Sequence, residues 1–145
     1  MRIFVYEFVS ADELAGPDAP SLLTEGWAML AALLEDFGRL PGVHVETILG
    51  AAAGGKAPPA GVAVHRVATD EEEAVFRRLA AAADWTLIVA PEIDGNLPDR
   101  LRWVEESHGR LLGSTLAAAR LAGDKLLLAD HLRERGAPTP PTVQW

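Results

Sequence analysis

Two carboxylates, Glu92 and Asp94, flank Ile93 just after the apolar run Trp85-Thr86-Leu87-Ile88-Val89-Ala90, and a third, Glu7, stands inside the apolar opening segment Arg2–Val9. Carboxylates placed beyond a buried strand can bind an amine or share a magnesium ion. The same residues also suit a plain acidic turn built on Asp94-Gly95. Glu7 has two readings, a partly buried and paired group or a ligand at a rim. The segment Gly50-Ala51-Ala52-Ala53-Gly54-Gly55-Lys56-Ala57 has the glycine and lysine spacing of a phosphate loop. It departs at the end, where Ala57 has no hydroxyl for magnesium and Pro58-Pro59 cannot open the helix whose amides would hold phosphate, so it reads as an Ala/Gly loop. No G-x-G-x-x-G follows the opening segment. His44, His65, His108 and His131 form no constellation, and Ser10, Ser21, Ser107 and Ser114 lack the G-x-S-x-G elbow. No catalytic residue and no metal-ligating set is assigned.

The elements that must position these groups follow from periodicity. The opening segment is rich in β-branched and aromatic residues and predicts a strand. After a loop over Ser10–Pro20, Ser21 is placed to cap a helix whose Leu23, Trp27, Leu30, Leu34 and Phe37 recur at steps of four and three, with Gly38 at its end. Pro41-Gly42 turns into a strand over Val43–Thr47, and a weaker strand follows at Val62–Val67. Thr69 with Glu72 predicts a capping box for a helix running to about Ala83. Trp85–Ala90 lacks alternation, the pattern of a central parallel strand covered on both faces. A helix over Leu97–Ser107, a short strand at Arg110–Leu112, a brief helix capped by Ser114 and a helix over Lys125–Arg135 capped by Asp124 complete the order. Strands alternating with helices predict an α/β, three-layer Rossmann-like or flavodoxin-like domain with a mainly parallel sheet. In such sheets ligands lie beyond the carboxyl ends of the strands, which selects Glu7–Ser10, Pro91–Asn96 and Gly113–Thr115 as site loops.

The net charge of −8 opposes nucleic acid and anionic membranes, and no apolar run approaches a bilayer span. The absence of cysteine excludes disulfides and thiolate chemistry. With no signal-peptide order at the start, a cytoplasmic location is expected.

The segment Gly109–Ser114 through Asp124-Lys125, then Leu132 and Gly136-Ala137-Pro138-Thr139-Pro140-Pro141-Thr142, resembles the end of the N-terminal, pre-ATP-grasp domain of ATP-grasp enzymes, where a "DK" pair and a "G-x-P-T-P" exit lead into the nucleotide-binding domains. The opening strand, the Ser21–Phe37 helix and Trp85–Gly95, with its Pro91-Glu92-Ile93-Asp94-Gly95, also resemble the branch that includes the tyramine–glutamate ligase of methanofuran synthesis and proteins of bacterial one-carbon metabolism. The resemblance implies a carboxylate–amine ligase that works through an acyl phosphate. It implies a domain over residues 1–122, a linking helix at 123–145 leading to the remaining ATP-grasp domains, and ATP and magnesium as cofactors of the full-length enzyme, neither held tightly by this chain. Lys125 matches the lysine that faces nucleotide phosphates. Glu92 and Asp94 match the loop that borders the acceptor-substrate site, which serves a small acid and an amine, and a homodimer is also implied; Glu7 and Ser10, candidates from the strand-end rule, are expected to join them in binding substrate. The family's glycine-rich stretch after the first strand is replaced by Ser10–Gly16.

Two other classes compete. A stand-alone module that binds a small molecule or a protein partner, without ATP-grasp chemistry, would have the same composition. A flavin-binding electron carrier needs a hydroxyl- and glycine-rich phosphate loop, which the acids at positions 12 and 13 oppose.

Overall fold

The computed structural model describes residues 1–11 and 19–142. The chain divides into two units, Met1–Gly113 and Ser114–Trp145.

In the first unit, strands β1 (Arg2–Glu7), β2 (His44–Leu49), β3 (Ala63–Arg66) and β4 (Trp85–Val89) form an all-parallel sheet in the order β3-β2-β1-β4. The chain builds outward from β1 to β3 and then crosses back to the other side of β1. Strand order therefore reverses between β1 and β4. β1 is the best-buried strand because its side chains feed both faces. Ile3 and Val5 join Leu30 and Leu34 of helix α2 (Ala19–Gly38). Phe4 and Tyr6 join Phe76 and Leu79 of α3 (Glu72–Ala82) and Val104 of α4 (Asn96–Glu106). Phe76 stacks edge-on against Phe4, Tyr6 and Trp103, with centroids 4.9–5.3 Å away. Helices thus cover both faces, the expected three-layer arrangement.

Several local expectations need correction. β1 stops at Glu7, and Phe8–Ala11 turn into a short helix, α1. The loop expected over Ser10–Pro20 lies, at positions 12–18, outside the described residues, and so does most of the Ser10–Gly16 stretch. Ser21 sits inside the first turns of α2 rather than before it. The Trp85–Ala90 run is the outer strand of the sheet, not a central one. Apart from the buried Thr86 its residues are apolar, packing toward α2 on one face and α4 on the other, while among the described residues its outer edge meets a single bridge from Leu111 to Thr86. The Arg110–Leu112 strand is reduced to that bridge. Gly50–Ala57 holds a 3₁₀ turn at Ala51–Ala53, and the Lys56 ammonium lies 5.9 Å from the Trp27 ring.

The second unit contains α5 (Leu116–Gly123) and α6 (Lys125–Glu134). Thr115, not Ser114, caps α5 by accepting the Ala118 N–H at 3.2 Å. Asp124 caps α6 as expected, accepting from Leu126 and Leu127. No helix among the described residues is long and apolar enough to cross a membrane.

Candidate functional site

Beyond the carboxyl ends of β1 and β4, where strand order reverses, a cavity of about 430 Å³ opens against α2. Switch points of this kind are where open α/β sheets hold ligands, because the diverging connections leave a crevice. Phe8, Val9, Val89, Ala90 and Pro91 supply apolar walls from the strand ends. From α2 come Leu22 and Met29, both about half-exposed at the mouth, together with Glu25 and Gly26.

Glu7 lies at the base and is 1% exposed. Its alternation with Ile3 and Val5 sends it toward α2, where only a glycine leaves room. A Cβ on Gly26 would lie 2.5–2.7 Å from the Glu7 carboxylate. The carboxylate accepts the N–H of Val9 at 3.0 Å and of Ser10 at 2.8 Å. It therefore caps α1 and offsets part of its own desolvation. No cation among the described residues pairs with it.

Asp94 reaches the cavity from the opposite side. It adopts φ 55, followed by Gly95 at φ 75, a left-handed pair that breaks the chain before α4; the Leu97 N–H bonds the Pro91 carbonyl at 3.1 Å and closes this loop. Asn96 also lines the cavity. The loops Glu7–Ser10 and Pro91–Asn96 are thus brought together, and Glu7 and Asp94 share one cavity. Glu92 is exposed and does not line it. Ser10 is buried behind it. Its carbonyl accepts the Gly50 N–H at 2.9 Å, and its hydroxyl has no partner among the described residues. Gly113–Thr115 falls at the division between the units. Lys125 is exposed at the start of α6 in the second unit.

Sequence reasoning missed Glu25, Gly26, Leu22 and Met29. Their steps of three and four beside the core-facing stripe of α2 were the available signal. It also missed a buried cluster behind Phe8. There Glu72, read as half of a capping box, is 4% exposed and receives the Tyr6 hydroxyl and two Arg100 contacts at 3.0 and 3.2 Å. Glu71 takes the local role instead, accepting the Ala68 N–H at 3.2 Å. Burial, and then the Glu72 charge, push the Tyr6 phenol far above its ordinary range. Burial opposes the Arg100 charge, but Tyr6 and Glu72 outweigh it and raise its pKa.

Among the described residues, the cavity's ionisable lining is Glu7, Glu25 and Asp94, with no lysine, arginine or histidine. It suits a cation with an apolar body. The three carboxylates among its described lining residues, and the use of the amides that follow β1 by Glu7, oppose an anionic phosphate there. The described residues contain no group of three or more His, Cys, Asp or Glu placed to hold a metal.

The pre-ATP-grasp 3 domain family matches residues 45–119, which run from β2 into α5 and include β4, the Asp94 loop and Arg100. No curated protein and no solved structure gives a match. That match covers more than half of the 145 residues, and the chain belongs to the pre-ATP-grasp 3 domain family.

Proposed function

We propose that this domain forms the acceptor-substrate wall of an ATP-dependent carboxylate–amine ligase. The single observation that carries the reading is the cavity at the β1/β4 strand reversal, acidic and apolar-walled, in a chain of this family. In this reading, ATP and magnesium are held by ATP-grasp domains of the same polypeptide, and this chain alone is inactive. There a carboxylate takes the γ-phosphoryl group of ATP, releasing ADP. The ammonium first gives one proton to a cavity carboxylate; the free amine then attacks the acyl carbon, and phosphate leaves carrying the second N–H proton.

The chain's own part is to hold the amine. An ammonium loses hydration on entering the cavity and regains it as charge-assisted hydrogen bonds to Glu7 or Asp94, while its apolar body covers Val9, Val89 and Met29. Fixing the amine lowers the entropic cost of attack. Lys125, exposed beside the Asp124 cap, is proposed to face the nucleotide phosphates. A cation at a helix start opposes the dipole and gains nothing locally, which favours an external anion as its partner. The closer kinship with the tyramine–glutamate ligase-like branch, and with one-carbon metabolism, belongs to the same proposal and rests on the opening strand, the Ser21–Phe37 helix and Trp85–Gly95.

The test is hydroxylamine trapping with the intact polypeptide, magnesium-ATP and a panel of carboxylic acids. Acid-dependent hydroxamate with matching ADP and phosphate is expected. Release of AMP and pyrophosphate would replace the acyl phosphate by an acyl adenylate, and no acid-dependent turnover would remove the ligase reading.

A further inference from the structure

Phe8 is shared between two environments. It lines the cavity, and its ring lies 4.7 Å from the Arg100 guanidinium, which also lies 4.5 Å from the Trp103 ring and 5.9 Å from the Tyr6 ring. Arg100 is 7% exposed. Its Nε donates to the Tyr6 hydroxyl at 3.1 Å and its Nη2 to Glu72, and Tyr6 donates to Glu72. One side chain on α4 therefore grips β1 through Tyr6, the start of α3 through Glu72, and the start of α1 through Phe8. The helix that carries it begins at Asn96, directly after the loop that places Asp94.

Buried ion pairs of this kind add little net stability, because desolvation offsets most of the attraction, and apolar replacements of similar volume are often neutral. What a planar guanidinium adds is direction. Its donors and its stacking faces are fixed relative to one another, so it allows few arrangements of the elements around it.

We propose that Arg100 is the positioning residue of the cavity, fixing through Phe8 and α4 the separation between the Glu7 side and the Asp94 side. The proposal builds on the acceptor-site reading but has a readout independent of any ligand.

The experiment compares the full chain with Arg100→Lys and with the apolar triple Tyr6→Phe/Glu72→Met/Arg100→Met. It measures the thermal midpoint and amide hydrogen exchange at Val9, Ser10 and Leu97, the three amides tied to the cavity walls, against Leu30 and Leu34 of α2. The triple should keep its midpoint within a few degrees while the three cavity amides exchange faster by about tenfold or more and the α2 amides do not change. Arg100→Lys retains charge but not the fork or the stacking, and should show the same local acceleration. Cavity and α2 amides accelerating together, or no acceleration in either variant, would reduce Arg100 to packing. If the triple does not fold, Arg100→Lys decides by the same criterion. Titration with n-butylammonium forms a separate arm. The variants should weaken it by about tenfold relative to the parent. Parent-level binding in a variant with accelerated cavity amides would overturn the positioning role. Absence of binding by the parent would sink the acceptor site while the exchange data still judge Arg100.

Discussion

Glu7 and Glu72 are both buried carboxylates, and the sheet separates them. Glu72 is met by a guanidinium and a phenol on the α3/α4 face. Glu7 is met by two backbone N–H groups and a glycine on the α2 side, with no cation among the described residues. A carboxylate has about four lone-pair sites, so two amides leave acceptor capacity on Glu7, and that capacity lies against a cavity. Glu72 carries the architecture, whereas Glu7 is the carboxylate that the proposed function assigns to an incoming ammonium. Burial alone did not separate these roles. The charge of the partners did.

Removing each group should expose the difference. Glu72→Ala strands a buried guanidinium and should cost roughly 3–5 kcal/mol in a urea titration. Glu7→Gln keeps size and leaves an amide facing the Val9 and Ser10 amides, at a cost of roughly 1–3 kcal/mol, and it should abolish amine binding that Glu72 variants only weaken. Equal destabilisation by the two would erase the distinction.

The next effect is alkaline. Tyr6 has its phenol pKa raised above the ordinary 10.0, so the folded chain keeps the phenolic proton after the unfolded chain has released it. This contribution is fully present below pH 10 and is lost as pH rises above it, by about 1.4 kcal/mol per pH unit. The chain has one tyrosine, so phenolate absorbance reports this group alone. Tyr6→Phe should flatten the stability profile above pH 10, and an exposed-type titration in the folded parent would contradict the cluster.

The smallest effect separates two acids only two residues apart. Asp94→Asn should weaken amine binding by about tenfold, the worth of one charge-assisted contact, while Glu92→Gln should leave it unchanged because that side chain lies off the lining. Calorimetry on the two variants checks this.

Much of the layer order was legible in the sequence because it depends on local periodicity. The stripe of α2 and the β-branched opening strand each bury what their spacing says they should. Strand position was not legible. Trp85–Val89 is apolar on both faces and reads as central, but coverage by two helices produces that pattern at an edge as well. Glu72 shows a second limit. Thr69 and Glu72 have the spacing of a capping box, and only the arrival of Tyr6 and Arg100, 66 and 28 positions away, diverts the glutamate into the core. At the site, Glu7 and Asp94 were reachable from the rule that ligands sit beyond strand ends. Gly26 was not, since the need for a missing Cβ arises only when a distant carboxylate is laid against it.

The central claim is that the cavity between β1 and β4 accepts an organic ammonium and rejects phosphate. Titrating the ¹⁵N-labelled chain separately with n-butylammonium, butyrate and magnesium-ATP tests it most directly, by following the amides of Val9, Ser10, Ala90 and Asp94. The ammonium should shift these amides saturably while butyrate and ATP leave them in place. Saturable shifts at the same amides with ATP, and none with the ammonium, would contradict it.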